Sequence, residues 1–199
     1  MAFADSDYEC FGLDVAAPTR GCPTLYVLDA KDAIDTERQP LVPEEARPLA
    51  SHADPIPAVA WSPDGTWIAY LVEQRVIEGN YAVPKSTDLW IVRADGADNR
   101  KVLSNAIPVE TVHRAILSSV LEWTGGGEVS IRAGRQPDAP KLKNRSFEIE
   151  SPDRTLVAAR VGGIDTDWIC IRAAESPRDE RSGLGCFGDG FFSFPEWAP

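Results

Sequence analysis

Two neighbouring stretches decide the fold of this chain: AVAWSPDGTWIAYLV at Ala58–Val72 and TDLWIVRADGADNRKVLS at Thr87–Ser104. In the first, apolar residues that favour strands flank the turn Ser62–Gly65. Proline presets φ at the second turn position, aspartate can bond its own backbone, and glycine accepts a positive φ. Nearly continuous apolar strands predict burial on both faces, as between packed sheets.

The second stretch completes a unit of four strands. Leu89–Val92 predicts a third strand, and the turn Ala94–Gly96 leads to a short fourth strand over Arg100–Leu103, with Asp-Gly as the hairpin signal. Four antiparallel strands in about 45–50 residues are typical of one blade of a β-propeller.

Degenerate copies of this unit recur along the chain. The segments that match one of its hairpins or its third strand are Leu25–Ala30, Leu121–Gly127 with Val129–Arg132, Glu150–Arg154, Thr166–Arg172 and Phe194–Pro199. The last of these resembles the opening of another Trp-Ser-Pro-Asp-Gly hairpin. Because the copies recur between residues 25 and 199, the repeat rather than any single residue predicts the architecture.

The predicted fold is all-β: a β-propeller, or an open propeller-like array of four-stranded antiparallel blades, with about three to four blade equivalents. The predicted domains are an N-terminal extension at 1–22 and a propeller-like repeat domain at 23–199. Within the latter we expect a partial blade at 23–50, a blade at 56–105, degenerate blades at 115–190 and the start of a further strand at 191–199. A ring closed by both chain ends, an open arc and a fragment of a longer propeller all fit this count.

The unit resembles the TolB-type, WD-like propeller repeat, which is also found in the propeller domains of prolyl oligopeptidases and dipeptidyl peptidases. The residues that carry the resemblance are Trp61–Gly65, Ile68–Tyr70, Asp88–Trp90 and Ala94–Gly96, all within residues 57–103. The resemblance implies a propeller in which these residues have structural roles. It does not fix a function, because propellers serve as binding platforms, lyases and substrate gates.

Composition excludes several classes of partner. The chain is 43% hydrophobic and carries a formal net charge of −11, which repels nucleic-acid phosphates and anionic lipid heads. No run of apolar residues is long enough to span a membrane, and residues 1–7 lack the basic start and apolar core of a signal peptide. We therefore expect neither a nucleic-acid partner nor membrane insertion.

The four cysteines are Cys10, Cys22, Cys170 and Cys186. No Cys-x-x-Cys occurs, so a zinc site is not predicted. The cysteines either form disulfides, as in an extracytoplasmic protein, or remain buried thiols. Their even number favours disulfides, and all three pairings of four cysteines are open. The corresponding localisation is periplasmic or secreted, with a cytoplasmic location as the alternative.

The sequence contains no recognisable catalytic set. There is no Gly-x-Ser-x-Gly elbow, and the glycine-rich segment Gly185–Gly190 precedes no helix that could hold a phosphate. The acidic pairs of the chain lack the spacing of a calcium loop. We therefore predict no catalytic residue, no metal and no cofactor.

The predicted binding surface is the rim of loops opposite the Ser-Pro-Asp-Gly turns, at residues 51–56, 73–86, 105–114 and 162–166. Long loops on a rigid scaffold commonly carry binding sites. The candidate binding residues are His52, Arg75, Tyr81, Lys85, His113 and Arg114.

The predicted function is a non-enzymatic interaction module that binds a protein partner through this loop rim. The alternative is a fragment or accessory propeller of a larger enzyme, of peptidase or lyase type, that gates or binds substrate. A carbohydrate-binding propeller that uses exposed tryptophans is a third hypothesis. Association with further propeller blades or with another subunit is compatible with each of them.

Overall fold

The computed structural model describes residues 1–5, 22–29, 45–79, 81–108, 121–124, 127–131, 146–162, 167–174, 185–190 and 198–199. All regular secondary structure in these ranges is β-strand. The strands are β1 Ala2–Asp5, β2 Thr24–Val27, β3 Arg47–Ser51, β4 Ala58–Trp61, β5 Trp67–Glu78, β6 Tyr81–Arg93, β7 Arg100–Pro108, β8 Leu121–Trp123, β9 Val129–Ile131, β10 Ser146–Glu150, β11 Leu156–Gly162, β12 Asp167–Ala173 and β13 Gly185–Gly190.

The strands form four antiparallel sheets in which chain neighbours pair. The first sheet is β1-β2-β3, the second is β4-β5-β6-β7, the third is β8-β9 and the fourth is β10-β11-β12-β13. The second and fourth sheets are four-stranded meanders, as the repeat predicts. The prediction of an all-β fold built from propeller-like blades is therefore confirmed.

The sheets pack face to face through three apolar clusters. Leu25 of the first sheet and Ile68 of the second belong to one cluster, while Leu71 of the second sheet and Leu121 of the third belong to another. The opposite face of the first sheet, through Phe3, meets Ile169 of the fourth sheet. The sheets are thus packed in the order fourth, first, second, third. The contact between the first and fourth sheets brings together the two ends of the described chain.

β1 lies within the segment predicted as an N-terminal extension. Its residues pair with β2 in the register Ala2↔Val27 to Asp5↔Thr24, and Phe3 is fully buried. The apolar run at the start of the chain therefore contributes a strand to the first sheet. Most of the remaining predicted extension, residues 6–21, lies outside the described residues.

The Ser-Pro-Asp turns of the second and fourth sheets have the same hydrogen bonds. In the second sheet, Ser62 Oγ donates to Asp64 Oδ1 at 2.6 Å and accepts the Trp67 N–H at 2.9 Å. In the fourth, Ser151 Oγ donates to Asp153 Oδ1 at 2.6 Å and accepts the Leu156 N–H at 3.0 Å. The match confirms that the two segments are copies of one structural unit.

The predicted loop at residues 73–86 is wrong. β5 continues to Glu78 and β6 begins at Tyr81, with a tight turn at Gly79, whose φ is 67°. Gln74 faces Ser86 while Arg75 faces Pro84, so Lys85 is the extra residue of a β-bulge. The bulge accommodates a proline inside a strand pair, because proline cannot donate to the ladder.

Other predicted loops are also partly strand. β7 extends from Arg100 to Pro108, past the predicted strand end at Leu103, and Ser51 and Gly162 are the last residues of β3 and β11. The register of β7 against β6 shifts twice, near Leu89, and Asn105 has a φ of 52°. These irregularities allow the longer strand to follow the twist of β6.

Candidate functional site

The β5–β6 hairpin projects beyond the four-stranded part of the second sheet. β4 begins at Ala58 opposite Leu71, and β7 ends at Pro108 opposite Ser86. Beyond these positions β5 and β6 pair with each other alone among the described strands. We call residues 74–85 the hairpin arm.

The base of the hairpin arm contains a buried ion pair. Arg75 Nε donates to Glu73 Oε1 at 2.6 Å, and the two side chains are only 14% and 7% exposed. Asp54 lies in the same charge cluster: burial raises the pKa of this carboxyl above its ordinary value, and the Arg75 guanidinium opposes the shift. Arg75, a predicted binding residue, thus pairs with the buried carboxylate of Glu73 and lies near the half-buried Asp54 instead of presenting its charge to solvent.

His52, the second predicted binding residue, is packed against the second sheet. Its Nε2 lies 3.0 Å from the Tyr70 hydroxyl, and its ring meets Trp90 edge-on with 4.8 Å between centroids. The Tyr70 hydroxyl donates to Asn99 Oδ1 at 2.6 Å, so His52 must donate from Nε2. His52 therefore holds the β3–β4 connection onto the sheet.

Burial sets the ionisation of this cluster. Burial, assisted by the nearby Lys101 ammonium, lowers the pKa of His52 to about 4. Burial also raises the pKa of Tyr70 above its ordinary value, although the hydrogen bond to Asn99 opposes that shift. Both side chains are neutral at pH 7, and their hydrogen bonds are directed to each other and to Asn99.

The remaining predicted binding residues are distributed as follows. Lys85 is exposed at the bulge of β6. Tyr81 is the first residue of β6 and faces Glu78 across the turn, and its side chain lies outside the described part. His113 and Arg114 lie outside the described residues. The structure thus places Arg75 and Lys85 on the hairpin arm, whereas His52 packs on the four-stranded part of the second sheet, against Tyr70 and Trp90.

Sequence reasoning missed Ile77 on the hairpin arm. It is the most exposed large hydrophobic side chain in the described part of the chain, at 60%. The signal for it was the β-favouring run around Val76 and Ile77, which continues β5. Pro84 and Gly79 obscured that signal, because both residues are usually read as loop residues.

The described residues also bear on metals and membranes. They contain no group of three or more His, Cys, Asp or Glu side chains that could hold a metal ion. Asp95 and Asp98, one of the acidic pairs in the sequence, instead contact Arg93 and Arg100. Within the same described ranges, no helix has the length and apolar character to cross a membrane.

The similarity of this chain to known proteins is confined to solved structures. No family model matches the chain, and no curated protein matches it by sequence. Among solved structures, the chain is similar to TolB from Acinetobacter baumannii, with 13% sequence identity and a TM-score of 0.41. The match covers 100% of this chain and 66% of that chain.

Proposed function

We propose that the chain is a non-enzymatic, TolB-like propeller module that binds a protein partner through the hairpin arm. The observation that carries the proposal is Ile77, an exposed aliphatic side chain on a projecting strand pair. Glu78 and Lys85 flank it as exposed charges. An apolar anchor within a charged surround is a common composition for a protein interface.

The backbone of the hairpin arm supports the same proposal. Glu73 directs its N–H to Pro55 O at 2.9 Å, on the β4 side of β5. The bulge inserts its extra residue in β6 and not in β5, so every second residue of β5 after Glu73 directs its backbone groups to the same side. Ile77 therefore directs its N–H and C=O away from β6. No described strand pairs with that edge, and an extended partner segment can add to such an edge by backbone hydrogen bonds.

The proposed contact surface differs from the predicted set of residues. Ile77 and Lys85 belong to it, whereas Arg75 is paired with Glu73 at the base of the arm and His52 packs against Tyr70 and Trp90. Tyr81 stays in the proposal because it begins β6 at the turn. The proposed surface does not include His113 and Arg114, which lie outside the described residues.

The experiment is photo-crosslinking from Lys85 in cells, followed by affinity measurement with the purified crosslinked partner. Ile77→Ser should weaken binding by at least about tenfold, as loss of an apolar anchor does. The matched control is Val102→Ser, because Val102 is 53% exposed on β7, away from the arm. Equal affinities for Ile77→Ser and the unsubstituted chain would remove the hairpin arm as the interface.

We further propose an extracytoplasmic location, periplasmic or secreted, for this module. The proposal rests on disulfides at Cys22 and Cys170, which are buried and not free thiols, because structural disulfides persist in oxidising compartments. The register places Cys170 directly opposite Cys186 on β12 and β13, within the Cα separation that a disulfide spans. The proposed pairs are Cys170 with Cys186 and Cys10 with Cys22.

Intact mass spectrometry tests this part of the proposal. Without reductant, the native protein should be lighter by about four hydrogens, which corresponds to two disulfides. Peptide mapping should then recover the two proposed pairs. Four free thiols in protein isolated from its own cells would contradict the proposed compartment.

A further inference from the structure

We infer that the groove between the second and third sheets is a binding site for a neutral saccharide. The groove has a volume of about 480 Å³, within the range typical of small-molecule sites. It lies at the Ser62–Gly65 turn, at the opposite end of β5 from the hairpin arm. The inference is therefore independent of the proposed protein interaction.

Two tryptophans form the walls of the groove. Trp67 begins β5, and Trp123 ends β8 on the facing sheet. Trp123 Nε1 donates to Ala60 O at 3.1 Å, which fixes the ring against the second sheet. Trp123, held in this way, offers apolar surface to the C–H face of a sugar ring without an ordering cost on binding, and Trp67 forms the other wall with the Arg93 guanidinium 6.0 Å from its ring centroid.

The polar side of the groove offers both an acceptor and a donor. Asp64 accepts hydrogen bonds from Ser62 Oγ and the Thr66 N–H at Oδ1 and from Thr66 Oγ1 at Oδ2, and because Asp64 is exposed, its Oδ2 can be reached by a further donor. These hydrogen bonds, that from Ser62 foremost, lower the pKa of Asp64 to about 2. Arg100 lies with its guanidinium 5.3 Å from the Trp67 ring centroid and supplies N–H donors.

The local charge favours an uncharged ligand. Arg100 pairs with Asp98, and Arg93 pairs with Asp95, so the cations beside the groove are already neutralised. A carboxylate acceptor beside an indole is best matched by hydroxyl groups, which both donate and accept. A proline-rich peptide also binds aromatic grooves, but its prolines have no N–H to offer Asp64.

The test is titration of the full chain with maltotriose, cellotriose and triacetylchitotriose. Decaproline is titrated in parallel, because it represents the alternative ligand, a proline-rich peptide. Calorimetry and tryptophan fluorescence should show binding of at least one trisaccharide with a Kd of about 0.1–1 mM. Trp67→Ala should weaken that binding at least about tenfold. Ile77→Ser, on the hairpin arm, should leave it unchanged.

Arg100→Gln provides a second variant, because Arg100 is exposed and its replacement should preserve the fold. It should also weaken trisaccharide binding by about tenfold, through the lost charged donor. The inference is overturned if no trisaccharide binds at about 10 mM, or if both variants bind as the unsubstituted chain does. Binding of decaproline without binding of any trisaccharide overturns it as well.

Discussion

Arg154 has a φ of 56° at the turn position that Gly65 occupies, with a φ of 69°, in the second sheet. Left-handed backbone costs a residue with a Cβ about 1–2 kcal/mol, and glycine avoids this cost. The surrounding hydrogen bonds are the same in both turns, since Asp153 bonds Ser151 and Thr155 as Asp64 bonds Ser62 and Thr66. The turn network thus holds Arg154 in an unfavourable conformation.

Arg154→Gly should therefore increase the free energy of unfolding. We expect a net gain of about 0.5–1 kcal/mol, after allowing for the greater freedom of glycine in the unfolded chain. Urea unfolding at constant pH measures the change. Arg154→Ala is the control and should give no comparable gain, because alanine has the same conformational cost. A gain as large for alanine as for glycine would contradict the φ argument.

His52 should make stability fall as the solution is acidified. Its pKa is about 4 in the folded chain, against an ordinary value of 6.5, so the unfolded chain binds the proton more readily between these values. Stability is fully present above pH 6.5 and decreases as the pH falls towards 4. At about pH 4.5 the loss is on the order of 2 kcal/mol.

His52→Gln isolates this contribution from that of the carboxylates, which titrate in the same range. The glutamine amide can replace the Nε2 donor to Tyr70 without gaining a proton. Urea unfolding of both proteins from pH 7 to pH 4.5 should give a steeper loss for the histidine protein. Parallel pH profiles would show that His52 has an ordinary pKa in the folded chain.

At the scale of elements, the Ser-Pro-Asp turns could be predicted from sequence, whereas the hairpin arm could not. In the turn, Pro63, Asp64 and Gly65 each act locally, so the residues themselves determine the conformation. In the arm, the effect of Pro84 depends on a bulge that takes up Lys85, and a bulge leaves no local signal. The charge cluster around Arg75 likewise includes Asp54, which is distant in sequence.

Removal of one member of the ion pair at the base of the arm should be costly. Arg75→Ala leaves the Glu73 carboxylate, whose side chain is 7% exposed, without its cation. The expected loss in unfolding free energy is about 3 kcal/mol, as for other buried pairs that lose one partner. Thermal or urea unfolding measures it.

Two further variants separate the ion pair from general effects of substitution. Arg93→Ala breaks the Arg93–Asp95 pair, whose side chains are 50% and 57% exposed, and should cost less than about 1 kcal/mol. Combining Arg75→Met with Glu73→Gln should recover much of the loss, because the buried Glu73 charge is removed together with its cation and the half-buried Asp54 is the remaining carboxyl of the cluster. A double variant as unstable as Arg75→Ala would attribute the effect to packing.

At the scale of the whole molecule, the sequence predicts the sheets better than their packing order. Each blade-like unit follows from turn chemistry and apolar strands within about 50 residues. The contact between the first and fourth sheets joins Phe3 to Ile169 and Ile171, across most of the chain length. Such contacts depend on the assembled tertiary structure, and the strand pattern alone is compatible with an open arc or a ring.

This long-range contact predicts that the two ends of the chain are coupled in stability. Phe3 is fully buried in the cluster with Ile169 and Ile171, so Phe3→Ala should cost about 3–5 kcal/mol. Hydrogen exchange should accelerate in β12 as well as in β2, because the cavity lies between them. Leu71→Ala, in the cluster of the second and third sheets, is the control and should accelerate exchange in β8 more than in β12. Unchanged exchange of β12 in Phe3→Ala would show that the first and fourth sheets are stable independently.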